Sequence, residues 1–259
     1  MDDLRITLVQ IPLYWKTPQA NHSMLEEKIT DVKTDLIVLP EMFTTGFTMD
    51  AEEVAEPENF TTYRWMKQMA ARTNAVITGS CVIRQGKQFY NRLLWVEPSG
   101  HILHYDKRHL FRMAGEHSHY TAGTQKLICE LKGWKIAPFI CYDLRFPVWI
   151  RNTYTNGFEY DLALFVANWP APRANAWDLL LKARAVENSS YVAGVNRIGE
   201  DGNGVHYLGE SQVVDPRGKE ILQMKGEEDV ATIWLSKSGL YDYRKKFPVQ
   251  EDADSFKIE

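Results

Sequence analysis

Lys135-Ile136-Ala137-Pro138-Phe139-Ile140-Cys141 is a short apolar run that ends on a thiol. A run of this length reads as a buried strand. Tyr142-Asp143-Leu144-Arg145-Phe146-Pro147 follows directly, and a short helix is expected over 146–156. Cys141 therefore sits on a strand-to-helix junction, where a nucleophile is exposed at the rim of a sheet. Backbone N–H groups of the following turn, that of Tyr142 first, can face a developing oxyanion there. The ordinary reading of a free cysteine, a small buried hydrophobe, competes with this one. Cys81 and Cys129 lie inside apolar runs with no such junction and are read as structural.

The same design recurs on both sides. Leu36-Ile37-Val38-Leu39-Pro40 delivers Glu41 to the end of a buried strand, and Leu162 to Val166 runs into Ala167-Asn168-Trp169-Pro170. A desolvated carboxylate can take and return protons near neutral pH. Ile102 to Tyr105 is a strand after which Lys107 opens a long ordered loop that runs to Gln125. Long loops in compact domains tend to be functional. A lysine placed there can offset oxyanion charge and favour a thiolate. Taken singly, a strand-end Glu is most often solvated and a loop Lys most often lies on the surface. Their common position at strand ends is the informative feature, because ligand sites of layered α/β proteins lie beyond those ends.

Further strands are expected over Ile6–Val9, Val76–Ile83, Phe89–Val96, Tyr191–Val195, Gly209–Val214, Glu220–Leu222 and Val230–Trp234. Helices are expected over Asn21–Val32, Phe60–Arg72 and Trp177–Asn188. Alternating strands and helices predict an α/β protein whose helices cover sheets. The 259 residues, 44% hydrophobic, fit one domain or two halves sharing a core. The core spans about residues 4–235, and residues 236–259 read as a polar tail lying against a neighbour or partner.

A net charge of −4 with scattered Lys and Arg lacks the basic footprint of a nucleic-acid binder. The acidic start and the lack of a long apolar run predict a cytoplasmic protein without signal peptide or membrane span. Three widely spaced cysteines do not form a disulfide framework. His101, His104, His109, His117, His119 and Glu116 are dense enough to raise a metal site, but HExxH spacing is missing, and no metal or cofactor is expected.

Leu39-Pro40-Glu41-Met42, Tyr105-Asp106-Lys107-Arg108-His109-Leu110-Phe111 and Cys141-Tyr142-Asp143-Leu144-Arg145-Phe146-Pro147 together resemble the nitrilase superfamily of carbon–nitrogen hydrolases. Asn168-Trp169-Pro170 and Ala183-Arg184-Ala185-Val186-Glu187-Asn188 extend the resemblance, which runs from Ile6 to about Trp234. It implies a four-layer α-β-β-α sandwich that pairs into a homodimer. It also implies Cys141 as nucleophile, Glu41 as proton shuttle and Lys107 as oxyanion partner. Glu116, seven residues before Gly123, matches a second family glutamate that orients the lysine or the substrate amide.

The cysteine block is similar to the ω-amidase branch, which removes the terminal amide of 2-oxoglutaramate and 2-oxosuccinamate. Aliphatic amidases, N-carbamoyl amino-acid hydrolases and nitrilases would use the same triad, and a non-enzymatic binding protein could share the fold. A monoamide of a 2-oxo dicarboxylic acid keeps a free carboxylate, which calls for Arg, Tyr or amide donors. Tyr142, Asn168, Trp169 and Arg173 are the expected substrate-binding residues, with Phe43 a possible aromatic wall. Arg145 is read instead as a structural partner of Asp143 or a helix-packing residue.

Overall fold

The computed structural model describes residues 3–258. The first half of the chain forms β1 (Leu4–Gln10), α1 (Pro18–Ile29), β2 (Leu36–Val38), α2 (Ala51–Val54), β3 (Glu56–Pro57), α3 (Thr61–Thr73), β4 (Val76–Gln85), β5 (Gln88–Val96) and β6 (Ile102–Asp106). The second half forms β7 (Cys129–Leu131), β8 (Trp134–Ile140), α4 (Pro147–Ile150), β9 (Leu162–Ala167), α5 (Ala174–Asn188) and β10 (Tyr191–Asn196). After these come the hairpin of β11 (Ile198–Glu200) and β12 (His206–Leu208), then β13 (Gln212–Val214), β14 (Glu220–Gln223), β15 (Asp229–Leu235) and α6 (Lys237–Lys246).

Two sheets result, with strand orders β15-β1-β2-β4-β5-β6 and β14-β13-β10-β9-β8-β7. Each has a parallel centre, β1-β2-β4 in one and β8-β9-β10 in the other, with antiparallel strands on both sides. The two halves of the chain thus repeat one plan that no sequence repeat announces. β15 returns from the second half to pair with β1, from Leu4↔Leu235 to Gln10↔Asp229, and so ties the halves together.

Side-chain alternation sorts each strand between two cores. Leu36 and Val38 join Leu4, Ile6, Leu8, Phe139 and Phe165 in the main core that includes both sheets. Ile37 and Leu39 turn the other way, toward Leu25 and Ile29 of α1 and Met66 and Met69 of α3. The run Leu36–Leu39 is apolar throughout because both of its faces are buried. On the far side, Trp177, Leu181 and Ala185 of α5 cover the second sheet. The order helix, sheet, sheet, helix is the expected four-layer sandwich.

Several expected elements differ in extent. α1 begins at Pro18, before Asn21, because a proline at the first helical position leaves no donor unpaired. The helix expected over 146–156 stops at Ile150, and Arg151 is extended. Residues 236–259 read as a tail, yet Lys237–Lys246 is a helix seated on the core. Two of its charged residues are buried and paired: Lys237 Nζ and Arg244 Nη1 hold Asp161 at 2.5 and 2.6 Å, and Arg244 also donates to Ser189 O and Tyr160 O. Composition hides this, since burying a charge is tolerable once it is paired and hydrogen-bonded. Among the described residues no helix is long and apolar enough to cross a membrane.

His22 of α1 stacks on Trp65 of α3 at 4.7 Å and is buried, which lowers its pKa to about 4. A depressed folded-state value means the neutral ring is the stable form. Its contribution is therefore complete above the unfolded value of 6.5 and is lost as pH falls through about 4. At ~1.4 kcal/mol per unit, His22 should cost the fold about 2–3 kcal/mol at pH 4.5. Urea unfolding of wild type and His22→Gln at pH 7.5 and 4.5 checks this. The variant should lose less stability over the interval than wild type, and equal losses would refute it.

Candidate active site

Cys141 follows β8 directly and starts a 3₁₀ turn, Cys141–Arg145, with φ of +43°. A left-handed conformation costs a side-chain-bearing residue roughly 1–2 kcal/mol, so the turn must be held from outside. Asp143, fully buried, holds it. Its Oδ2 accepts the N–H of Ile140 at 3.1 Å and the Tyr105 hydroxyl at 2.8 Å. Its Oδ1 accepts His109 N–H and Nδ1 at 3.0 and 2.8 Å. Asp143 is thus fully engaged without Arg145, which corrects the expected Arg145–Asp143 pair.

Glu41 follows β2 in a turn laid across β4. Met42 N–H donates to Ser80 Oγ and Phe43 N–H to Ser80 O. Gly79 makes room for this turn, since a Cβ there would lie 2.8 Å from Leu39 Cβ. Lys107 follows β6, and its N–H donates to Asn91 O at 3.0 Å. Gly123 N–H donates to Lys107 O, and a Cβ on Gly123 would lie 2.1 Å from Asp106 O. That contact is why the loop closes only with glycine there. Within the loop, 3₁₀ turns at Arg112–Ala114 and Glu116–Ser118 turn Glu116 inward.

These local structures converge. Lys107 Nζ lies 2.9 Å from Glu41 Oε1 and 3.0 Å from each Glu116 oxygen. Glu116 also accepts Phe111 N–H at 2.5 Å. Asn168 N–H donates to Glu41 Oε2 at 2.8 Å, and its Nδ2 donates to Glu41 O at 2.6 Å. Glu41 and Glu116 are 0% exposed and Lys107 1%, so three charges are kept out of water together. The Cys141 thiol lies close enough to Glu41 to feel its charge.

Burial alone would lower the Lys107 pKa, but the charges of Glu116 and Glu41 outweigh it and raise the value. Burial raises Glu116, aided by the Glu41 charge and opposed by Lys107. Burial, then the Glu41 charge, holds the Cys141 thiol well above its usual range, with Lys107 opposing. The sulfur is therefore held as the thiol.

A cavity of about 1020 Å³ opens above Cys141 and Lys107. Phe47, Met49, Phe111, Met113 and Trp169 give it apolar walls, and Tyr142, Asn168, Arg145 and Arg173 line it as well. Trp169 is held by its N–H to Asn196 Oδ1 and by its indole N–H to Arg173 O. Arg145 stacks over the Trp169 ring at 5.0 Å, and Arg173 over Phe111 at 5.4 Å with Nη2 near Met113 Sδ. Phe43, by contrast, points into the outer core beside Trp65, because the Glu41 turn reverses the chain there.

Two contributors escape the sequence reading. The β11–β12 hairpin adds Asp201, Val205 and Tyr207 to the wall, with Tyr207 Oη donating to Asp201 at 2.8 Å. Asn91 of β5 donates to Glu41 Oε1 at 2.8 Å. Its signal is an amide heading the otherwise apolar stripe Asn91-Leu93-Trp95. The histidines scatter: His109 serves Asp143, while His117 and His119 are exposed. Among the described residues no group of His, Cys, Asp and Glu is placed to hold a metal ion.

The sequence profile described as carbon-nitrogen hydrolase matches residues 5–245. The chain is 48% identical to a protein named omega-amidase YafV from Escherichia coli strain K12, over all of both chains. It is 32% identical to a 2-oxoglutaramate amidase of Bacillus subtilis, covering 95% of this chain and 96% of that one. The crystal structure of XC1258 from Xanthomonas campestris, described as a CN-hydrolase superfamily protein with an arsenic adduct in its active site, superposes with a TM-score of 0.98 at 45% identity over the full length of both.

Proposed function

Because the chain belongs to the carbon-nitrogen hydrolase family, we propose that it is an ω-amidase, releasing ammonia from the terminal amide of a 2-oxo dicarboxylic acid monoamide such as 2-oxoglutaramate or 2-oxosuccinamate. The observation that carries the reading is the buried Glu41–Lys107–Glu116 cluster facing the Cys141 thiol at the floor of one cavity. Relatives named omega-amidase and 2-oxoglutaramate amidase support the substrate class.

In this reading Glu41 takes the thiol proton as sulfur attacks the amide carbon, since the thiolate is the nucleophilic form. The carbonyl oxygen gathers negative charge beside the Lys107 ammonium and the Tyr142 N–H. Glu41 passes its proton to the nitrogen, the C–N bond breaks, ammonia leaves, and the acyl group remains on Cys141 as a thioester. Glu41 then deprotonates a water that attacks the thioester, and the proton returns to the leaving sulfur. Glu116 orients Lys107. Every proton taken is returned, so no cofactor enters the balance.

The free carboxylate of the substrate needs a cation. Arg145 and Arg173 both line the cavity on aromatic faces, and the arginine fork suits a carboxylate. The test is ammonia release from 2-oxoglutaramate beside glutamine, an aliphatic nitrile and an N-carbamoyl amino acid. Turnover of 2-oxoglutaramate far above the rest is expected. Arg173→Ala should raise KM for the carboxylate-bearing amide about 10- to 100-fold, with little change for a neutral amide of the same length. Turnover of another panel member alone would discard the substrate class, and equal KM effects would discard Arg173 as its partner.

A further inference from the structure

Glu41 is surrounded on all sides, and the distribution of its hydrogen bonds is uneven. A carboxylate offers about four acceptor positions, two on each oxygen. Oε1 accepts Lys107 Nζ at 2.9 Å and Asn91 Nδ2 at 2.8 Å, which fills it. Oε2 accepts the Asn168 N–H at 2.8 Å and keeps one position open.

Asn91 is an unusual residue for its place. It is fully buried on the face of β5 that also carries Leu93 and Trp95, among the apolar side chains between the sheets. Its Oδ1 has no hydrogen-bond partner. A buried amide with an unsatisfied oxygen is costly, and an aliphatic side chain of the same size would avoid that cost. The amide cannot be turned over to relieve it, because Oδ1 would then face the carboxylates of Glu41 and, at 3.4 Å, Glu116. The fold alone does not call for an amide at this position, whereas the carboxylate does.

We propose that Asn91 is a positioning residue for Glu41: with Lys107 it occupies both acceptor positions of Oε1, so that the Cys141 proton is received on Oε2. The inference rests on the reading of Glu41 as proton shuttle. Its consequence is directional. A carboxylate that must take a proton from sulfur and return it to nitrogen performs best when a single oxygen is available to both, because orientation is fixed before the reaction. The charged and titratable groups around Glu41 are Lys107 from the end of β6, Glu116 from the loop, Cys141 from the elbow, and the phenols of Tyr120 and Tyr207.

Two substitutions read this out in the full chain. Asn91→Leu removes the donor at nearly constant volume. Its kcat should fall about 10- to 100-fold with KM within about twofold, the size usual for a lost outer partner of a reacting group. Asn91→Asp keeps the shape, but the new carboxyl donates only while protonated. Its kcat relative to wild type should therefore decline as pH rises, while the Asn91→Leu ratio stays flat. A structural role would lower the melting temperature of both without that divergence. An Asn91→Leu kcat close to wild type, or the same pH course for the two ratios, overturns the inference. Should Asn91→Leu fail to fold, the pH course of Asn91→Asp against wild type decides alone. Glu41→Gln separates the layers. Turnover retained in Glu41→Gln rejects the shuttle itself, whereas a dead Glu41→Gln with normal Asn91 variants rejects only the role of Asn91.

Discussion

Cys141→Ala is expected to stop ammonia release, with a loss on the order of 10⁴-fold or more, the scale seen when a covalent nucleophile is removed. The fold should survive. Cys141 is 9% exposed, and its contribution is one sulfur atom in a turn whose geometry is held by Asp143. The lost burial of one small group costs about 1 kcal/mol. The melting temperature should therefore stay within a few degrees of wild type. Turnover comparable to wild type would end the assignment of the nucleophile. Alkylation adds a second readout on the native protein. Burial raises the thiols of Cys81 and Cys129 as well as Cys141, but of the three it is Cys141 that lines the large cavity. Iodoacetamide should therefore label Cys141 first, and labelling spread evenly over the three would contradict the arrangement.

Lys107→Met should damage both chemistry and fold. Loss of an oxyanion donor lowers kcat about 10²–10³-fold. The structural effect is less obvious from sequence, because a lysine in a loop is normally dispensable. Here its ammonium is the cation between Glu41 and Glu116, all three buried. Removing one partner of a buried ion pair leaves uncompensated charge and costs about 3–5 kcal/mol. The deficit should depend on pH in a definite direction. Burial already raises Glu116, and a raised folded-state value means that stability is greatest below the unfolded value of 4.5 and falls as pH rises through the folded one. Without the lysine that rise is larger, so Lys107→Met should be closer to wild type at pH 5 than at pH 8. Urea unfolding at both pH values tests this, and Lys107→Met/Glu116→Gln should recover part of the lost stability without recovering activity. A single variant as stable as wild type at pH 8 would show the cluster to be better solvated than its burial implies. Lys107→Arg is not expected to rescue either property, because the planar fork cannot replace a compact ammonium that donates to two carboxylates at 2.9 and 3.0 Å.

The strands that carry the site were legible because their physics is local. Leu36–Leu39 and Ile136–Ile140 are apolar on both faces, and each ends at a residue of different chemistry. Glu41, Lys107 and Cys141 stood out by that abrupt change. Asn91 did not, because an amide heading an apolar stripe carries no sign of its use; only the approach of Glu41, fifty residues away in sequence, gives it a purpose. The hairpin β11–β12 gives no strand signal for a related reason. Its strands are three residues each, and Tyr207 lines a cavity that the rest of the chain builds. The helix at Lys237–Lys246 was hidden by its charges, because Lys237 and Arg244 look solvated in a string of letters and are buried against Asp161 in space.

The amino-acid sequence by itself determined the layered α/β class and the strand ends that bear the thiol, the lysine and the carboxylate. These follow from short-range properties: apolar periodicity and the turn at a strand end. Only the tertiary structure decided that Glu41, Lys107 and Glu116 form one buried cluster, that Asp143 serves the Cys141 turn and leaves Arg145 to the cavity, and that Asn168 binds Glu41 as well as lining the pocket. The reason is that a charge is settled by its partners and its distance from water, and both are set by strands that meet from opposite halves of the chain.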